Sequence, residues 1–233
     1  MVEVFFNSTA GRIEGRYQSS PNKDRPVALV LHPHPLHDGS MNNKVVYQLY
    51  SQFIANDFSV LRINFRGVGK SQGTFDQGVG ELIDAAVALD WLQERHGINA
   101  DYWISGFSFG SWIGMELAMR RPEIMSFIIA APPVNKYDFS FLSPCPAPGL
   151  VLHGDQDSVV AEENVAEFVD KTAKNKNTKI EYKVITGADH FFRDKLSELG
   201  SIVNTYIQNS LSNKNDRSTT SKIHANNKVV LLD

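Results

Sequence analysis

The feature that most constrains how this chain can fold is a repeated alternation of short apolar runs with longer amphipathic segments. The run Val27–Leu31 is apolar at every position, which is typical of a strand covered on both faces, as in parallel sheets. Segments such as 45–56 instead place their apolar residues near the helical period. Because the two patterns alternate from residue 26 to residue 211, the sequence predicts an α/β fold with a mostly parallel central sheet and helices on both faces.

The alternation gives a definite order of elements. Residues 2–6 and 12–17 flank a Gly-containing turn and predict an N-terminal antiparallel hairpin. Further strands are predicted at 27–31, 58–63, 102–104, 124–130, 149–153 and 180–185, and helices at 45–56, 81–93, 112–120, 161–171 and 194–211. We expect a single domain over residues 1–211. Residues 212–233 are rich in Asn, Lys, Ser and Thr, and we expect a flexible C-terminal tail whose apolar end, 229–232, docks weakly.

Composition and charge exclude several classes of function. The 233 residues include 23 Lys and Arg and 26 Asp and Glu, a net charge of −3, so a broad basic face for nucleic acid is not expected. Cys145 is the only cysteine, which excludes an intrachain disulfide and a cysteine-based metal cluster. No run of about 18 apolar residues predicts a membrane span, and the apolar stretch near the N-terminus is too short for a signal peptide. We therefore expect a cytoplasmic protein.

The strongest chemical signal is Gly106-Phe107-Ser108-Phe109-Gly110, which lies between a predicted strand and a predicted helix. A G-x-S-x-G sequence in that context is typical of a nucleophile elbow, a sharp turn that exposes a serine hydroxyl at a helix N-terminus. The two glycines allow neighbouring backbone to approach. The helix dipole and the Phe109 N–H favour negative charge beside Ser108. The sequence therefore predicts Ser108 as a nucleophile.

A serine nucleophile needs a general base, and the base needs a carboxylate to orient it. Asp155 and Asp157 follow one predicted strand, and His190 follows the next. Because ligand chemistry in such sheets gathers at the carboxyl ends of the strands, these side chains are expected near the serine. We predict His190 as the base and leave the acid open between Asp155 and Asp157. Asp189 adjoins the base and is expected to point away from it, and His153 is expected to pack and hydrogen-bond at a strand end.

The chain resembles the α/β-hydrolase superfamily over residues 20–210. Four motifs carry the likeness: the elbow, the His-Gly-x-x-Asp segment 153–157, the Gly-x-x-His turn 187–190, and the loop Asn64-Phe65-Arg66-Gly67-Val68-Gly69-Lys70-Ser71, where Asn64 stands in the place of the usual Asp. The segments Leu31-His32-Pro33-His34-Pro35 and Met41-Asn42-Asn43-Lys44 are further similar to a lidless bacterial subgroup close to the dienelactone-hydrolase-like enzymes. That subgroup often carries Cys at the elbow, whereas Ser108 favours ester hydrolysis by serine.

The resemblance implies a Ser108–His190–Asp157 triad, since the family places its acid three residues after the glycine of the His-Gly-x-x-Asp segment. It implies cleavage of carboxylic ester or thioester bonds through an acyl-enzyme, with a small-molecule ester as substrate and no cofactor or metal. Cap domains of this superfamily usually follow the strand predicted at 124–130. Only residues 131–148 separate that strand from the next, so no cap is expected and small or exposed acyl groups are favoured. The protein is expected to be a monomer or a homodimer.

The resemblance also implies an oxyanion hole made of two backbone N–H groups. One is that of Phe109, and the other comes from the loop after the strand at 27–31. Pro33 and Pro35 have no N–H to donate. The second donor is therefore His34 or Leu36, and the position of the family's donor favours His34.

Other motifs point to competing functions. The stretch from Gly67 to Ser71 is similar to part of a phosphate-binding loop, but Asn64 stands where that motif needs Gly, and a loop follows instead of a helix. A metal-dependent hydrolase is a stronger alternative, although Leu36 stands where the usual ligand spacing needs Asp. Its ligands would come from His32, His34, His37 and Asp38, with His153, Asp157 and His190 from other strand ends.

Two further alternatives use the same fold. One is a peptidase or aminopeptidase, and the other is a binding protein without catalysis. Phe191 and Phe192 follow the predicted base, where they either line an acyl site or pack in the core.

Overall fold

Eight strands form a single sheet in the computed structural model, which describes residues 1–22, 24–142, 144–173 and 179–227, with side chains as far as residue 213. The strands are β1 (Val2–Ser8), β2 (Gly11–Gln18), β3 (Val27–Leu31), β4 (Ser59–Ile63), β5 (Tyr102–Phe107), β6 (Ile124–Ala130), β7 (Gly149–Gly154) and β8 (Ile180–Ile185). Their order is β1-β2-β4-β3-β5-β6-β7-β8. β1, β2 and β4 pair antiparallel and all pairings from β4 to β8 are parallel, which confirms the predicted sheet and hairpin.

The five predicted helices are also present, with shifted ends. They are α1 (Lys44–Ala55), α2 (Val79–His96), α3 (Phe109–Ala118), α4 (Glu162–Ala173) and α5 (Leu196–Asn227). α3 begins directly after Ser108 instead of at residue 112, because the backbone N–H and the hydroxyl of Ser111 both donate to the Ser108 carbonyl. Between β6 and β7 the described residues hold one short 3-10 turn, Ser140–Leu142, and no cap domain.

Two hydrophobic layers cover the sheet. α2, α3 and α4 pack against one face, and α1 and α5 against the other. Strand β3 shows why a run of apolar residues is needed at the centre: Leu29 and Leu31 point into the first layer, and Ala28 and Val30 into the second. All four side chains are fully buried, so no position of the strand tolerates a polar residue without a partner.

The last helix differs most from its predicted extent. α5 continues to Asn227, so residues 212–227 extend the helix that was expected to end at residue 211. Residues 228–233, which include the apolar end expected to dock, lie outside the described residues. The flexibility of the 212–233 tail stays a prediction. Among the helices of the described residues, none combines the length and the apolar character needed to cross a bilayer.

A buried carboxylate on β2 holds the loop that follows β4. Glu14 Oε2 accepts hydrogen bonds from Asn64 Nδ2 and from the Lys70 N–H, each 2.8 Å long. The Glu14 N–H donates to Ser71 Oγ, whose hydroxyl donates to the Asn64 carbonyl. Asn64 Oδ1 in turn accepts the Met41 N–H. An aspartate at position 64 would set a second carboxylate against Glu14, whereas the amide of Asn64 donates to it, so this departure from the family pattern matches its surroundings.

The same loop is joined to α2 by a buried ion pair. Arg66 donates to both carboxylate oxygens of Asp84, from Nη2 to Oδ1 over 2.8 Å and from Nε to Oδ2 over 3.0 Å. Asp84 also accepts the Arg66 backbone N–H and the Ser8 hydroxyl. The Asp84 side chain has no exposed surface. Since every lone pair of this carboxylate has a donor, the charge is compensated only while the loop keeps its present position.

We therefore expect Asp84→Ala to lower the free energy of unfolding by about 3 kcal/mol, because it removes the carboxylate that accepts two hydrogen bonds from the buried Arg66 guanidinium and leaves only the longer contact with Asp76. Urea denaturation measures the change. Asp90→Ala on the same helix is the matched control: Asp90 pairs with Arg121 at the exposed surface, and its loss is expected to cost less than about 1 kcal/mol. Equal losses in the two variants would contradict the structural role assigned to Asp84.

Candidate functional site

Ser108 lies in a sharp turn between the end of β5 and the start of α3. Its backbone has φ 52° and ψ −120°, a combination that a residue with a Cβ adopts at a cost of about 1–3 kcal/mol. This is the strained strand-to-helix turn that a nucleophile elbow requires. The turn leaves the Ser108 side chain at the N-terminus of α3, beside the first N–H groups of that helix, which have no partner within it.

The two glycines of the elbow are required by close backbone approach. A Cβ on Gly110 would lie 2.5 Å from the Leu31 carbonyl oxygen and 2.6 Å from that of His32, and a Cβ on Gly106 would overlap the Gly110 carbonyl. β3 and α3 therefore approach each other more closely than any side chain at position 110 permits. This contact places the loop after β3 beside the serine.

Side chains from three strand ends meet at Ser108. The Ser108 hydroxyl donates to His190 Nε2, with 3.1 Å between Oγ and Nε2. His190 Nδ1 donates to Asp157 Oδ2 over 2.7 Å. Asp157 follows β7 and His190 follows β8, so these residues come together because adjacent parallel strands end at the same edge of the sheet. The three predicted triad residues thus have the geometry of a nucleophile, a base and an orienting acid.

The Asp157 carboxylate is held from both sides. Oδ1 accepts the backbone N–H groups of Val159 and Val160 at 2.8 and 2.9 Å, while Oδ2 accepts the hydrogen bond from His190. Burial disfavours the charged form, but the hydrogen bonds from His190, Val160 and Val159 and the charge of His190 outweigh it, so the pKa of Asp157 lies below its ordinary value. Asp157 is therefore ionised at neutral pH.

The other candidate acids have different partners. Asp155 accepts the Gly187 N–H over 2.6 Å, and Asp189 accepts the N–H groups of Phe191 and Arg193. Both carboxylates thus fix turns of the backbone. His153 is fully buried and bonded through Nε2 to the Val160 carbonyl, 2.9 Å away, and burial lowers its pKa. This confirms the expected role of His153 as a packed residue at a strand end.

The two residues predicted to supply the oxyanion hole share the cleft with the serine. Both Phe109 and His34 line the same cleft as Ser108, and within the described residues neither backbone N–H has an acceptor. The Leu36 N–H, in contrast, donates to His34 Nδ1 over 3.2 Å, and the Leu36 side chain is exposed. The structure therefore favours His34 over Leu36 as the second donor, and the oxyanion hole itself stays a prediction.

The histidines of the loop after β3 do not form a set of metal ligands. His32 Nδ1 donates to the Pro33 carbonyl and Nε2 accepts the Phe65 N–H, so both ring nitrogens are used. Burial lowers the pKa of His32 to about 4. The rings of His34 and His37 stack, with centroids 4.5 Å apart. Within the described residues, no three His, Cys, Asp or Glu side chains are grouped so that they could hold a metal ion.

The cleft around Ser108 has a volume of about 270 Å³. Of the two phenylalanines that follow His190, Phe191 lines the cleft and is 43% exposed. Phe192 is fully buried and packs in the core. Phe191 and Asn43 also line a second cavity of about 670 Å³ between the start of α1 and residues 193–197. Phe191 therefore stands as a wall between the two cavities.

The loop after β6 contributes part of the cleft lining that was not predicted from the sequence. Pro133, Lys136 and Tyr137 line the cleft, and the Tyr137 ring stacks on that of Trp112, with centroids 4.3 Å apart. No motif marks these residues. Their position just beyond a strand end of the parallel sheet was the available signal, because that edge of the sheet is where ligand sites form.

We expect Gly110→Ala to disrupt the elbow, because the added methyl group meets carbonyl oxygens of β3 that cannot move independently. The expected loss is about 3 kcal/mol in the free energy of unfolding. Gly114→Ala in the same helix is the control: its Cβ would lie 3.1 Å from the Ile104 side chain, which can adjust. Thermal unfolding of the two variants compares them, and a Gly110→Ala protein as stable as the Gly114→Ala protein would contradict the close contact of α3 with β3.

Comparison with known proteins identifies relatives of this chain. A family model described as X-Pro dipeptidyl-peptidase (S15 family) matches residues 19–143, more than half of the chain. The uncharacterized protein RP471 of Rickettsia prowazekii is 54% identical over 217 residues, which cover 91% of each chain.

Solved structures of similar sequence have the same fold. An α/β hydrolase of unknown function from Agrobacterium tumefaciens is 50% identical with a TM-score of 0.89, over 91% of this chain and 97% of that one. A serine hydrolase homologue from Coxiella burnetii is 36% identical with a TM-score of 0.81, over 88% and 96%. A lidless α/β serine hydrolase from Xanthomonas campestris is 28% identical with a TM-score of 0.79, over 89% and 94%. The chain therefore belongs to the α/β-hydrolase superfamily, in the family that the X-Pro dipeptidyl-peptidase (S15) model describes.

Proposed function

We propose that this serine hydrolase cleaves carboxylic esters with Ser108 as nucleophile, His190 as general base and Asp157 as the acid that orients it. The observation that carries the proposal is the continuous hydrogen-bonded row from Ser108 Oγ through both ring nitrogens of His190 to Asp157 Oδ2. A hydroxyl aligned with an imidazole, itself aligned with an ionised carboxylate, is the arrangement that lets serine lose its proton as it attacks.

The tautomer of His190 follows from its partners. Because the Asp157 carboxylate accepts the hydrogen bond from Nδ1, that nitrogen carries the proton and Nε2 is left as the acceptor facing Ser108. Nε2 can thus take the hydroxyl proton as Oγ bonds to the carbonyl carbon of the ester. The imidazolium formed in this step is stabilised by the charge of Asp157.

The reaction then proceeds in two halves. Attack by Ser108 converts the carbonyl oxygen to an oxyanion, which accepts hydrogen bonds from the backbone N–H groups of Phe109 and His34. The tetrahedral intermediate collapses as His190 returns the proton to the leaving alcohol, leaving an acyl group on Ser108. Water, deprotonated by the same Nε2, attacks the acyl-enzyme and releases the carboxylic acid. A thioester follows the same course with a thiol as the leaving group.

A peptidase is the second candidate, and the match to the S15 family model favours it. An enzyme that removes residues from a peptide N-terminus must bind the ammonium group, which calls for a carboxylate near the nucleophile. The described residues that line the cleft include no Asp or Glu, and Lys136 lies among them. These observations support an ester over a peptide with a free N-terminus.

We expect a fluorophosphonate probe to label the protein at Ser108, because an activated serine attacks the phosphorus of such probes. Mass spectrometry of the adduct locates the label. Ser108→Ala should lose both the label and at least about a thousandfold in the rate of 4-nitrophenyl acetate hydrolysis, and a metal chelator should change neither in the wild type.

Two results would contradict the serine mechanism. Hydrolysis that survives in Ser108→Ala and vanishes on chelation would favour the metal-dependent alternative. The absence of both labelling and hydrolysis, with substrates from acetyl esters to X-Pro peptides, would leave a binding protein on this fold.

The small volume and open mouth of the cleft predict a preference for short acyl groups. Rates with 4-nitrophenyl esters should be highest between acetyl and hexanoyl and should fall toward palmitoyl, since a cleft at the low end of ligand-pocket volumes cannot bury a long chain. Phe191→Ala removes the wall to the second cavity and should shift the optimum to longer acyl groups, whereas Phe5→Ala on β1 should not. A rate that rises steadily from acetyl to palmitoyl in the wild type would contradict this prediction.

A further inference from the structure

The titratable side chains that line the Ser108 cleft are His34, His37, Lys136, His190 and Tyr137, and the described lining contains no Asp or Glu. Burial raises the pKa of the Tyr137 phenol, so this group is uncharged at neutral pH, and the other four carry positive charge or none. The chain as a whole carries a net charge of −3. A cleft without carboxylates is therefore a local departure from the average surface of this protein, and a cleft lined by one sign of charge concentrates ligands of the opposite sign.

Lys136 is positioned by the backbone of the loop after β6. Its N–H donates to the Pro133 carbonyl over 3.0 Å, which places the residue on the rim of the cleft with its side chain exposed. Among the described residues it forms no ion pair. Asp138, the nearest carboxylate along the chain, accepts the N–H and hydroxyl of Ser140 and lines a different cavity. Lys136 thus lines the cleft, and within the described residues its ammonium has no carboxylate partner.

The loop after β3 contributes two further side chains to the lining of the cleft, His34 and His37. Because His34 Nδ1 accepts the Leu36 N–H, the neutral ring carries its proton on Nε2 and presents a donor. His37 stacks on His34 with centroids 4.5 Å apart. Burial, and then the charges of His37 and Lys136, lower the pKa of His34. A bound anion would offset the repulsion by which the charges of His37 and Lys136 lower the pKa of His34.

We propose that the cleft binds esters that also carry a carboxylate, and that Lys136, His34 and His37 form the subsite for that group. The inference rests on the proposed function, because it places the ester carbonyl at Ser108 and the carboxylate beside Lys136. Lys136 is then a specificity-determining residue: it contacts a part of the substrate that does not react. The same charge disfavours the ammonium group of a peptide N-terminus.

The test compares two aryl esters of equal acyl length, 4-nitrophenyl hydrogen adipate and 4-nitrophenyl hexanoate. We expect kcat/KM to be higher for the adipate, and we expect Lys136→Glu to lower the adipate-to-hexanoate ratio by about tenfold, since it replaces an attraction by a repulsion. Raising the salt concentration to about 0.5 M should shrink the wild-type ratio through screening. Lys183→Glu makes the same change of charge on β8, away from the cleft, and should leave the ratio unchanged.

The outcomes separate the substrate class from the reaction itself. A ratio near one in the wild type, or a ratio that Lys136→Glu and Lys183→Glu alter equally, would overturn the anion subsite while ester hydrolysis stands. If neither ester is hydrolysed faster by the wild type than by Ser108→Ala, the proposed function fails and the inference fails with it. A tenfold loss confined to Lys136→Glu supports both.

Discussion

The close contact between α3 and β3 is the constraint on which the site depends. Gly110 packs against the carbonyl groups of Leu31 and His32 so tightly that no side chain fits between them. This contact directs the chain out of β5 and straight into the helix, which forces Ser108 into its strained conformation. It also sets the start of the loop after β3 beside the first turn of α3. The strain is tolerated because the burial of β3, β5 and α3 in the two hydrophobic layers outweighs it.

Buried polar groups hold the loops around this centre through hydrogen bonds and an ion pair. Glu14 and Asn64 bind one end of the loop after β4, and Arg66 and Asp84 bind its middle to α2. His32 joins the same loop to β3 through the Phe65 N–H. A buried charge or imidazole that lost its partner would cost several kcal/mol, so these contacts define one arrangement of the loops. The loop after β3, which lines part of the cleft, is in this way fixed by contacts that take no part in the proposed reaction.

What could be predicted from the sequence depended on local pattern. The strands and helices followed from apolar periodicity, and Ser108, Asp157 and His190 followed from short motifs at strand ends, where the topology of a parallel sheet brings them together. The start of α3 was placed three residues late, since amphipathic periodicity carries no signal for a turn that is fixed by tertiary contact. α5 was ended too early, because the polar residues after 211 have no apolar stripe to mark them as helix. Pairings such as Glu14 with Asn64 join residues 50 positions apart, and no local pattern records them. Lys136 likewise could not be predicted as a cleft residue, because only the fold brings it near Ser108.

The two oxygens of the Asp157 carboxylate have different partners, and this affects every turnover of the proposed reaction. Oδ1 is held by the Val159 and Val160 N–H groups whether or not His190 is protonated. The imidazole can therefore adjust its ring as it passes a proton from the serine to the leaving group, while the carboxylate stays still. The entropy of aligning the acid is lost once, when the chain folds, and is not lost again in each catalytic cycle.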